Sequence, residues 1–149
     1  MYLKFEKNGD LNWENASALG TQYGFFDRLR GMGTGFGKLI YLSGLDGFDE
    51  LNELNNDAAY VNIEPTTKGF ILRLNKSNRL AAFGIPFDQL KMMSLDQQYL
   101  ASDNTKFALE TADTTILFQV QSIQTRSFAK FLSSTAFTKV QSKISIKLA

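Results

Sequence analysis

The 149-residue sequence predicts a mainly β domain with one closing α-helix. Three observations carry that expectation. Apolar runs of strand length recur between turn signals, at roughly the 8–12-residue spacing of a small sandwich or barrel. After residue 121 the apolar period changes from that of a strand to that of a helix. Thirteen phenylalanines supply bulky side chains for one core, in a chain whose 44% hydrophobic and 21% charged residues are ordinary globular values. A chain of this length fits one domain and buries about 70% of its unfolded surface, so it needs no disulfide or metal to hold a core.

The elements follow in order. Leu3 and Phe5 alternate with Lys4 and Glu6, and Asn8-Gly9 precedes Leu11 and Trp13. Asn-Gly between alternating segments signals a hairpin. Residues 15–30 read as a helix, with Leu19, Tyr23 and Phe26 on one face, Ser17 as its cap and Gly31 as its left-handed stop. Gly31, Gly33, Gly35 and Gly37 then alternate with Met32, Thr34 and Phe36 as a stretch of exposed backbone. Strands are expected over 38–42, 60–63, 70–74, 80–85, 106–110 and 115–121, punctuated by Pro65, by 75–78 and by Pro86. Phe48, Leu51 and Leu54 mark a helical turn or two, and Phe87, Leu90 and Met93 continue an apolar spacing of three. Ser122 caps a helix that ends near Ser134 or Ala136, with Ile123, Phe128, Phe131 and Leu132 on its apolar face. In the tail, Val140, Ile144, Ile146 and Leu148 oppose Lys139, Lys143 and Lys147, a one-sided strand with a basic outer face.

A meander of about seven antiparallel strands followed by one amphipathic helix resembles the pleckstrin-homology-like (PH-like) fold over residues 37–135. The strand rhythm is similar to that of uncharacterised bacterial PH-like domains at Gly69-Phe70-Ile71-Leu72 and at Ile85-Pro86-Phe87-Asp88-Gln89-Leu90. Phe118-Gln119-Val120 and the helix after it match the closing strand and helix of that family. The resemblance implies a small antiparallel barrel, with residues 1–36 as a hairpin and helix extension and 136–149 as an extra strand. The two added strands are expected to pair beside the barrel. It further implies a binding module rather than an enzyme. One departure bears on ligand. Lipid-binding PH domains carry a basic motif across their first two strands; here Lys38 opens the first, but residues 58–64 hold no Lys or Arg. That speaks against phosphoinositide binding at the family's usual site.

Composition closes several chemistries. Without cysteine there are no disulfides, thiol nucleophiles or thiolate metal sites. Without histidine, Ser-His-Asp catalysis, His-ligated zinc and phosphohistidine transfer are closed. No catalytic residue, cofactor or metal ligand is assigned. The glycine run does not make a P-loop: aligned on Gly37-Lys38, Met32 stands at the first glycine and Leu39 at the Ser/Thr. The acids from Asp46 to Asp57 do not keep EF-hand order. Charged residues where a signal peptide needs an apolar run point to the cytoplasm.

The net charge of +1 draws in no nucleic acid. Its distribution is uneven: six acids and no base between Leu39 and Thr67, five bases and no acid from Thr114 to Ala149. The leading expectation is a non-enzymatic binding or scaffold domain for a protein or peptide, added as a strand or laid along the closing helix. A second reading is a peripheral module for anionic membranes, using Lys38, Lys139, Lys143 and Lys147. A third is a small hydrolase or isomerase built on paired carboxylates, and Asp88 is the acid placed after an apolar run. A homo-oligomer would follow if the tail strand paired between copies.

Overall fold

Alternation of buried and exposed side chains marks most of the strands. The computed structural model describes residues 1–30, 33–97 and 105–148. A short strand β1 (Tyr2–Leu3) precedes helix α1 (Phe25–Leu29). Then come β2 (Phe36–Ser43), helix α2 (Asp46–Asn52), β3 (Tyr60–Pro65), β4 (Gly69–Lys76) and β5 (Arg79–Pro86). The second half holds β6 (Leu90–Gln97), β7 (Thr105–Thr111), β8 (Thr115–Val120), helix α3 (Thr125–Leu132) and β9 (Ile144–Lys147). They form one mainly β sheet, in the order β1-β5-β4-β3-β2-β8-β7-β6-β9. Its pairs are antiparallel except for β9, which runs parallel to β6.

The connection between β5 and β6 shapes the sheet. These strands lie near opposite ends of the order, yet only the 3-10 turn Phe87–Gln89 joins them. Four residue steps span at most about 14 Å. The sheet must therefore curl until its two halves face each other. It does not close into the expected seven-stranded barrel. Pro86 offers β5 no further donor, and each free edge takes another strand, β1 on β5 and β9 on β6. The expected pairing of the N-terminal and tail strands with each other is thus replaced by docking at opposite edges.

The core lies inside the curl, and α3 closes it. Phe128 of α3 meets Phe107 at 4.7 Å and Phe36 at 4.9 Å between ring centroids. Phe137, from the 3-10 segment Thr135–Lys143, packs against Phe70, Phe87 and Phe131. A second, smaller core lies on the outer face of β4 and β5. There Leu3, Leu11, Ala16 and Leu19 cover Ile71 and Ala82. Residues 1–19 thus serve as a cover for the sheet.

Two strands carry bulges. The register shifts between Phe36 and Leu39 in β2, and between Leu90 and Met92 in β6. A bulge inserts one residue, so inward side chains fall at i, i+3 and i+5. That is the spacing of Phe36, Leu39 and Tyr41, and of Leu90, Met93 and Leu95, all packed in the main core. Of the period of three read at Phe87, Leu90 and Met93, the first step spans the 3-10 turn and the second comes from this bulge, and β6 is a strand that the expected elements omit.

Other local expectations shift. Asn8-Gly9 does make a turn, with Gly9 at φ +87° and a single bridge between Phe5 and Leu11. Residues 15–30 are not one helix. Trp13–Asn15 and Ser17–Leu19 form 3-10 turns, Gly20 adopts φ +73°, and α1 starts only at Phe25. Ser17 makes no capping bond, because Ala16 holds the cap position. The stop expected at Gly31 and the alternation through Met32 lie outside the described residues. At the closing helix, Ser122 begins a 3-10 turn, and Ile123 is exposed rather than on the apolar face. The tail is a 3-10 segment up to Lys143, and strand only beyond it. No helix among the described residues is long and apolar enough to cross a membrane.

Tyr41 ties α2 to the core. Its hydroxyl donates to Asp49 Oδ1 at 2.6 Å and accepts from the Leu45 amide at 2.8 Å. At the other end of α2, the buried Lys76 ammonium donates to the Asn52 and Asn55 carbonyls, where the helix dipole favours a cation. Tyr41→Phe leaves the buried Leu45 amide unpaired and lowers stability by about 1–3 kcal/mol, read from the denaturant midpoint. Burial, and next the Asp49 hydrogen bond, push the Tyr41 phenol above its ordinary 10.0. A raised folded value means that the fold favours the protonated phenol. Its contribution is full below pH 10 and drains away as pH rises further. Wild-type protein therefore loses stability above pH 10 more steeply than Tyr41→Phe, as urea titrations on either side of that pH would read.

Candidate functional site

Register decides what the outer sheet face presents. Tyr60 of β3 pairs with Asn75 of β4, which pairs with Leu80 of β5. Next to this row, Asn62 pairs with Arg73 and Arg73 with Ala82. The third row is Glu64, Ile71 and Gly84. Val61 and Ile63 point the other way, into the main core. The N-terminal segment covers Ile71 and Ala82 but leaves Tyr60, Asn62, Asn75 and Leu80 exposed.

The result is a trough with Arg73 at its centre. A cavity of about 260 Å3 lies on one side, walled by Phe5, Tyr60, Leu74 and Leu80. One of about 410 Å3 lies on the other, between Arg28, the 33–37 backbone, Asn62 and Glu64. A third, of about 440 Å3, opens toward Trp13 and Gln22. Arg73 lines all three.

Hydrogen bonds hold this centre in place. Arg73 Nε donates to Glu64 Oε2 at 2.8 Å, and Gln22 Nε2 donates to Glu64 Oε1 at 3.2 Å. Arg28 approaches the same carboxylate only to 3.9 Å. Two guanidinium groups thus share one carboxylate. Gly35 and Gly37 let β2 run close beside β3: a Cβ at Gly35 would stand 2.9 Å from the Ile63 carbonyl oxygen, and one at Gly37 2.6 Å from Asn62 Oδ1. The trough offers an aromatic ring, an aliphatic wall, two amides and a guanidinium. This set recognises shape and hydrogen-bonding groups.

The lysines singled out from the sequence do not form one surface. Lys38 is exposed in the bulge of β2 at φ +66°. Lys139 is exposed on the 3-10 segment, and Lys147 on β9 opposite Asp96. Strands β8, β7 and β6 separate β2 from β9. Lys143 is half-buried and donates to the carbonyls of Leu90 at 2.7 Å and Phe87 at 3.2 Å. It is a tether for the tail rather than part of an outer basic face. The residues that do converge were readable only in part. Tyr60, Asn62 and Glu64 alternate with apolar neighbours, and Arg73 stands alone in an apolar run. Nothing local says which outer face stays uncovered.

No protein-family model matches the chain, and no curated protein does. Among solved structures it is similar to the C-terminal domain of an unknown protein from Leishmania infantum. The identity is 14%, the match covers 72% of this chain and 88% of the other, and the TM-score is 0.43.

Proposed function

We propose that the chain is a non-enzymatic PH-like binding or scaffold domain, and that it holds a protein or peptide segment in the Arg73 trough. The observation that carries the reading is the trough itself: an open concavity on a rigid sheet, with exposed Tyr60 and Leu80 beside a positioned guanidinium. Tyr and Arg dominate the energetics of protein contacts, because they combine apolar area with directed hydrogen bonds. The PH-like part of the reading is supported by the strand order. Strands β2 to β5 and β6 to β8 each pair with their chain neighbours, β2 and β8 join the two runs, and α3 follows β8 after one 3-10 turn. The 410 Å3 side has one positive charge in excess, Arg28 and Arg73 against Glu64, so an acidic segment fits it better than a basic one.

A displayed library of random peptides, panned against the pure protein, tests this. Enriched peptides carry an apolar residue and an acid. Tyr60→Ala with Leu80→Ala weakens their binding by at least about tenfold without lowering the melting temperature, because both side chains are exposed. Reproducible turnover of a small substrate by the pure protein would sink the reading. So would enriched peptides that bind the double variant as well as wild type.

A further inference from the structure

Helix α1 lends Arg28 to the trough but shows its apolar side chains to solvent. None of its five residues is buried, and Phe25, Phe26 and Leu29 are 71%, 76% and 69% exposed. At i, i+1 and i+4 these three share one face of the helix. Phe25 and Phe26 pack edge-on against each other at 5.7 Å. An isolated exposed apolar residue needs no explanation, but three adjoining ones at the tip of a loop do.

The tip is held in place. Below it, the Thr21 amide donates to Thr67 Oγ1 at 2.8 Å, and the Thr67 amide to the Thr21 carbonyl at 3.0 Å. Gly33, at φ +69°, lies so close to the Tyr23 ring that an added Cβ would stand 2.5 Å from it. The two ends of the loop therefore meet, and α1 projects from a closed stem. Between Gly20 and Gly37 the charged residues are Asp27, Arg28 and Arg30, with Lys38 next along the chain. Asp27 is half-buried, whereas Arg28, Arg30 and Lys38 are exposed. A projecting apolar cap next to an exposed arginine complements a surface that is apolar within and anionic at its rim.

We propose that the α1 tip is a lipid-contact element: Phe25, Phe26 and Leu29 enter the interfacial layer of an anionic membrane, while Arg30 at the end of the helix meets its headgroups. This goes beyond the peptide reading and stands without it. It also relocates the membrane contact expected from the sequence, from the scattered lysines to a single apolar tip.

Co-sedimentation with vesicles tests it. The wild type pellets at low salt with about three parts phosphatidylcholine to one part phosphatidylserine, and far less with phosphatidylcholine alone. The variant F25S/F26S/L29S loses at least about tenfold in binding and keeps its melting temperature. R30E weakens binding, high salt does the same, and the trough variant Tyr60→Ala with Leu80→Ala pellets like wild type. No pelleting with the anionic vesicles at low salt overturns the proposal. Equal pelleting of the triple variant overturns it too. So does a wild-type dimer in solution that the triple variant dissociates, since a second copy would then cover the tip.

Discussion

Phe128→Ala lowers stability by about 3–5 kcal/mol, the loss expected when a large buried ring leaves a cavity. Phe128 has no exposed surface and is the plug that α3 drives between the two halves of the sheet. Its ring touches Phe107 of β7, Phe36 of β2 and Phe131 one helical turn on. Those partners belong to separate strands on either side of β8 and to the helix itself, so the void cannot be filled by moving one side chain. In a chain of this size each kcal/mol shifts the melting temperature by about 2–4 °C, so a fall on the order of 10 °C is expected in a thermal scan. Phe25→Ala is the matched control. Its side chain is exposed, and its change stays within about 0.5 kcal/mol.

Gly44→Ala costs about 3 kcal/mol or more, for two additive reasons. Gly44 adopts φ +117° at the turn out of β2, a conformation that L side chains rarely enter and that costs about 1–3 kcal/mol. An added Cβ would also collide with the Thr115 carbonyl oxygen and lie 2.7 Å from Ile116 Cα. Those are backbone atoms of β8, which pairs with β2, so relief requires moving a strand. The Gly44 carbonyl is fixed as well, accepting from Thr114 Oγ1 at 2.7 Å. The measurement is the denaturant midpoint at constant slope. A change under about 1 kcal/mol would show that the turn adapts and that β2 and β8 are loosely joined there.

The strands that were legible in the sequence are those with a run of apolar residues that no bulge interrupts. β3, β4 and β5 fall where short apolar runs end at Pro or Asn, β7 and β8 flank the turn at 112–114, and β2 was legible because residues 39–42 lie beyond its first register shift. β6 was not legible, because its bulge turns a period of two into an apparent three. Residues 15–30 misled in the opposite sense. Leu19, Tyr23 and Phe26 match a helical face, yet Gly20 at φ +73° breaks the backbone between them. Leu19 instead caps the outer sheet face, where a Cβ at Gly84 would meet its Cδ1 at 2.5 Å. Tertiary packing chose the conformation there over local periodicity.

The candidate site was less legible than the fold. Outward residues of β3 can be read from alternation, but the trough exists because the cover of residues 1–19 stops short of them, and that depends on the whole chain path. Lys143 shows the same limit. In an alternating tail it reads as a solvent-facing guard, whereas the 3-10 segment turns it onto two carbonyls. Of the exposed Phe25-Phe26 pair, only Phe26 entered the sequence reading, on one helix face with Leu19 and Tyr23.

The most direct test of the binding-module account is amide hydrogen exchange on the pure protein, with and without a peptide selected from the random library. The account predicts slowed exchange over 60–64 and 73–75, along the floor of the trough, with 107–118 unchanged. Protection confined to the β6–β9 edge or to α3, with the trough unaffected, would contradict it.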